Sequence, residues 1–173
     1  KKTLNTIESG IYIEDTWHPV ENIKVNAGLR FSHYLTDGKQ YFKPEPRISA
    51  SYKLSKDMAL KASYAEMNQY LHLLSNTGIG LPTGLWVPST TKTPPQHSRQ
   101  FAMGLAKDLN EAKGISFTLE GYYKNMNQII NYKEGASFLE IGSPEVTDKN
   151  SWEDKITSGN GESYGIEFLL QKK

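Results

Sequence analysis

The sequence predicts an all-β protein, an antiparallel up-and-down meander of the kind that builds a transmembrane β-barrel. Three observations carry this. Residues 23–33 alternate apolar and polar without a slip, the period of a strand with one oily face and one wet face. The same pattern returns along the chain, which fits barrel strands of about 9–11 residues. The connections alternate short and long, which sorts turns to one end and loops to the other, as outer-membrane barrels do.

Taken in order, the first strand candidate covers residues 9–17 and is the least regular. The second, 23–35, sets Ile23, Val25, Ala27, Leu29 and Phe31 against Lys24, Asn26, Arg30 and Ser32. The third, 47–54, opposes Ile48, Ala50 and Tyr52 to Arg47, Ser49 and Lys53. The fourth starts at Ala59 and extends toward Leu74, with alternation fading after Glu66. The fifth is 99–109, the sixth 115–130 and the seventh 162–171. Short connections fall at 18–22, 55–58 and 110–114; long ones fall at 36–46, 75–98 and 131–161. The short turns are assigned to the periplasmic side, so Ile23 lies near the periplasm and His33 near the outside. Trp17 and Tyr52 near short turns, and Tyr34, Tyr41 and Phe42 around the first long loop, read as aromatic girdles at the two lipid interfaces.

Composition narrows the class. The chain has 173 residues and a formal net charge of +1, with no basic run of the kind that tracks nucleic acid. Mean hydropathy is −0.58 and no apolar run approaches a helical span. That leaves a barrel open, because barrel strands hide their hydrophobicity in alternation. There is no cysteine, hence no disulfide, thiolate metal site or cysteine nucleophile. His18, His33, His72 and His97 form no close ligand pair, and no G-x-S-x-G elbow is present. No catalytic residue, cofactor site or metal site is assigned.

The run Gly10–Trp17, a short turn, and then Val25–Phe31 resembles the mid-barrel signature of TonB-dependent outer-membrane receptors, "Y-x-x-D-x-W" followed by "x-G-x-R". Pro46-Arg47 through Tyr52 is similar to the family's "P-R-x-x-x-x-Y" strand, Glu120–Lys124 to "E-x-Y-Y-K", and Gly165–Glu167 to "x-G-x-E". The style resembles receptors of Bacteroidetes type. The resemblance implies about seven or eight strands of a larger, plugged barrel of roughly 22 strands. It therefore implies that residues 1–173 are a single barrel segment without a plug domain. For the parent it implies energy-coupled uptake of a scarce ligand (an iron chelate, a vitamin or a glycan) across the outer membrane of a Gram-negative bacterium. The implied partners are outer-membrane lipid, TonB, a plug domain and a surface lipoprotein. Two other readings of the strands stay open. One is a complete small barrel, a porin or barrel enzyme, with an eighth strand from residues 1–6. The other is a soluble lipocalin-like binder, in which Val25, Leu29, Phe117, Ile166 and Phe168 fill a core.

Two sets of candidate site residues follow. Arg30, Arg47, Lys61, Glu120, Lys124 and Glu167 sit on the polar strand faces, where they contact a plug, line a substrate path or simply solvate a wet lumen. Leu85, Trp86, Tyr132 and Trp152 lie in or beside the two longest loops, where exposed aromatics stack on a sugar, grip an apolar ligand or pack loop on loop.

Overall fold

The computed structural model describes residues 5–36, 38–76, 83–110, 113–133 and 152–172. Among the described residues nine strands form: β1 (Thr6–Val20), β2 (Ile23–Thr36), β3 (Lys39–Lys53), β4 (Met58–Gln69), β5 (Leu71–Asn76), β6 (Thr83–Pro88), β7 (Gln96–Asn110), β8 (Ile115–Tyr132) and β9 (Ile156–Lys172). Seven of them make one antiparallel sheet in the order β1-β2-β3-β4-β7-β8-β9, and β5-β6 is a separate hairpin set into the β4–β7 connection. The sheet is open: among the described residues, β1 and β9 each pair on one side only. A 3-10 turn, Trp152–Lys155, precedes β9.

Register fixes the faces. Residues directly opposite in an antiparallel pair share a face, so one row runs Ile48–Tyr64–Phe101–Tyr123–Tyr164. The next apolar rows are Ala50–Ala62–Met103–Gly121–Ile166 and Tyr52–Leu60–Leu105–Leu119–Phe168. This face is bare, with Ile166 78% and Phe168 79% exposed. A soluble core built from these residues is thereby excluded. The row above the aromatic one is Glu66–Arg99–Asn125–Glu162, so the apolar belt ends there, at a line of tyrosine and phenylalanine. On β1 the belt is interrupted by Ser9 and Asp15.

The belt is inclined to the hydrogen-bonded rows. The row through Ile166, mid-belt on β9, reaches β1 at Trp17, the lower end of a belt that climbs to Ile7. Mid-belt on β1 thus lies about five or six residues up the strand, about 17–20 Å, across interstrand steps totalling about 29 Å. That slope is about 30–35°, close to the tilt of barrel strands against a flat membrane.

The structure departs from the sequence reading in four places. β3 begins at Lys39, not Arg47, so the first long loop is a tight turn with Gly38 at φ 80 on two extended strands. The candidate fourth strand breaks at Tyr70, and Leu71–Asn76 pairs with Thr83–Pro88 inside what reads as loop. β9 starts at Ile156, ahead of Glu162. Tyr34 and Tyr41 face inward with Glu8, opposite to a lipid girdle, and only Phe42 of that group points outward, stacked on Phe31 at 5.4 Å.

Pro44 and Pro46 explain the first departure. Neither can donate to a ladder, which confines them to an unpaired strand side. They lie opposite Phe31 and Leu29 of β2, while pairing with β4 stops at Arg47↔Ala65. Above that point a slit separates β3 from β4.

Candidate ligand-facing wall and loop cluster

The other face of the sheet is concave and polar. Asn26, Ser49, Ser63 and Ala102 share one row, and Lys24, Ser51, Lys61, Gly104, Glu120 and Glu167 share the next. Arg47 aligns with Ala65, Gln100, Lys124 and Ser163. All six polar-face candidates (Arg30, Arg47, Lys61, Glu120, Lys124 and Glu167) therefore sit on this wall, spread over three rows and without mutual ion pairs. Asn26 donates through Nδ2 to Glu14 Oε1 and Thr16 Oγ1, both at 2.9 Å. Gly165 leaves room for the Tyr122 ring, since a Cβ there meets Cε1 at 2.9 Å.

The slit is closed by a residue that sequence reasoning passed over. Glu45, between the two prolines, is only 2% exposed. Its Oε1 accepts from Ser32 Oγ at 2.9 Å and from both the backbone N–H and Nδ2 of Asn68 at 3.2 Å. Its Oε2 lies 3.5 Å from Arg30 Nη1, and Arg30 also reaches Glu8 at 3.9 Å. A side-chain carboxylate thus takes the N–H that the proline-bearing strand edge leaves without a ladder partner. Tyr70 adds its hydroxyl to Ser32 Oγ at 2.6 Å and stacks on Tyr34 at 4.7 Å. Asn68 Oδ1 meets His97 Nδ1 at 3.2 Å, and His97 Nε2 lies 3.3 Å from Glu66, which also pairs with Arg99 at 3.6 Å. A polar chain therefore runs from the concave face through the slit to the rim. The Pro44-Glu45-Pro46 triplet was the available signal: an acid between two residues that cannot donate.

Above the wall, the β5–β6 hairpin has two faces. His72, Leu74 and Val87 are buried, while Leu71, Leu73 and Trp86 are exposed, Trp86 at 64%. His72 Nε2 meets Ser89 Oγ at 3.0 Å, Nδ1 is without a partner, and burial holds the imidazole below its usual pKa. The segment after β6 ties three connections together. Thr90 O accepts from Tyr41 Oη at 2.6 Å, Thr90 Oγ1 donates to Glu153, and Lys92 pairs with Asp154 at 3.1 Å. Lys133 N donates to Lys155 O at 2.8 Å, which holds the far end of the β8–β9 connection.

Of the loop candidates, Trp86 stands on the exposed face of the hairpin and Leu85 is half-buried behind it. Tyr132, at the end of β8, and Trp152, opening the 3-10 turn, are half-buried. No ring contact joins Trp86 to Tyr132 or Trp152. Part of both long connections, residues 77–82 and 134–151, lies outside the described residues. Among the described residues no group of three His, Asp or Glu is placed to hold a metal ion, and no helix is long and apolar enough to cross a membrane.

A tilted outward apolar belt, an aromatic edge, a polar concave wall and loops gathered at one end define the wall of a transmembrane β-barrel. The chain belongs to the TonB-dependent receptor-like β-barrel family, whose model matches residues 2–172. It is similar in fold to the alcaligin outer-membrane receptor FauA of Bordetella pertussis, with a TM-score of 0.52 and 15% identity. The likeness covers 98% of this chain and 31% of that one, so the chain spans about a third of that receptor's length. None of the curated proteins matches.

Proposed function

We propose that this chain is one segment of the barrel domain of an active-transport receptor in the outer membrane of a Gram-negative bacterium. The receptor takes up a scarce small molecule or glycan (an iron chelate, a vitamin or an oligosaccharide) with energy delivered through TonB, and its plug domain is encoded elsewhere in the same polypeptide. The observation that carries this reading is the pair of faces: an inclined apolar belt outward and a charged concave wall inward, with the loop cluster at one rim. Trp86, Leu85, Tyr132 and Trp152 supply the ligand-contacting surface of that rim, and a surface lipoprotein is a further partner there. The wall itself performs no catalysis.

The test uses the complete receptor in its own outer membrane. Uptake of the ligand that supports growth stops when TonB is inactivated and drops when Trp86 is replaced by alanine. Uptake that persists without TonB, or a receptor absent from the outer-membrane fraction, contradicts the reading.

A further inference from the structure

The charges on the concave wall are segregated by strand. On β2–β4 the inward positions carry Lys24, Arg30, Lys39, Lys43, Arg47, Lys53 and Lys61 against one carboxylate, Glu45, which Arg30 already engages. On the flanks the balance reverses: Glu8 and Glu14 on β1, and Asp108, Glu120 and Glu167 on β7–β9 against Lys124. Within the described residues Lys24, Arg47, Lys53, Lys61, Glu120 and Glu167 have no ion-pair partner. Lys24, Ser51, Lys53 and Lys61 line one hollow at the turn end of the wall.

We infer that this wall is an orientation key for a folded polypeptide seated inside the barrel, whose acidic face turns to β2–β4 and whose basic face turns to β8–β9. The inference rests on the receptor reading above and specifies the plug's charge pattern and azimuth. A small anion fits the arrangement poorly. Arg47 and Lys53 stand six residues apart along β3, about 20 Å, so no single carboxylate or phosphate spans the basic set. A surface bearing several carboxylates does. Segregated charge also selects one rotational setting, because turning the occupant brings like charges together.

The test is zero-length carbodiimide coupling of the complete receptor in native membranes, read by mass spectrometry. Lys24, Lys53 and Lys61 couple to Asp or Glu residues outside residues 1–173, and Lys92, paired with Asp154 in the loop cluster, does not. Couplings confined to carboxylates of the wall, or suppressed by inorganic phosphate that itself binds there, overturn the inference. An occupied barrel without such couplings overturns this inference alone, whereas an empty barrel overturns the receptor reading with it. As a second measurement, Lys24→Glu/Lys53→Glu/Lys61→Glu raises passive entry of a bulky antibiotic above the wild-type level, because like charges now face each other across the seat. Reversing the coupled carboxylates to lysine restores the barrier. Unchanged entry in a correctly inserted triple variant also overturns the proposal.

Discussion

Removing Glu45 opens the β3–β4 slit. In Glu45→Ala the backbone N–H and Nδ2 of Asn68 and the Ser32 hydroxyl lose an acceptor at 2.9–3.2 Å, and Arg30 loses its buried partner. Each stranded polar group costs about 1–3 kcal/mol when it stays dry, and water admitted through the opened slit recovers part of that. A net local loss of about 3 kcal/mol follows, which is about a hundredfold in opening equilibrium. Arg30 contributes little of this, because its side chain is 40% exposed and water screens it. The assay is amide hydrogen exchange on the receptor in nanodiscs. Exchange at Asn68 accelerates about a hundredfold in Glu45→Ala and much less in Glu45→Gln, whose amide oxygen still accepts. The β7–β8 ladder keeps its protection. Unchanged exchange at Asn68 in Glu45→Ala refutes the claim that this carboxylate seals the slit.

Three further outcomes are expected. Ile166→Lys on the outward face destabilises insertion by about 2–4 kcal/mol, while Thr118→Lys on the concave face, opposite Ala106 and Leu169, is nearly neutral, as read by urea unfolding in detergent or lipid. Acid loosens the β5–β6 hairpin. The His72 pKa lies below its unfolded value, so the unfolded form binds the proton more readily. The stability present at neutral pH then falls as pH drops below the ordinary imidazole range, and His72→Gln removes that pH dependence from proteolysis of the hairpin. Thr90→Val releases Glu153 and costs about 1 kcal/mol locally, seen as faster exchange at the Lys133 amide, whose acceptor is Lys155 O.

Strand identity and facing were legible because the side-chain period of two survives any register. Parity alone puts Arg30, Arg47, Lys61, Glu120, Lys124 and Glu167 on one side, and the structure places them there. Extent was less legible. The prolines at 44 and 46 read as loop residues because a strand interior excludes them, and nothing local shows that β4 withdraws from that edge. Leu71–Leu74 read as the fading end of β4 because the kink at Tyr70 is set by a distant partner, Ser32. The Glu45 node and the Thr90 tie join residues 13 to 63 positions apart. Such contacts are set by tertiary packing and leave only a compositional trace, here one acid between two prolines.

The most direct test of the two-faced wall is a cysteine scan along β9 in the lipid-embedded receptor, with a fluorophore at each position from Gly161 to Gln171. Labels at Tyr164, Ile166, Phe168 and Leu170 are quenched by spin-labelled lipid, and those at Ser163, Gly165 and Glu167 are quenched by aqueous iodide. The period is two throughout the belt. Quenching by lipid at consecutive positions, or by iodide at Ile166 and Phe168, contradicts the barrel wall itself.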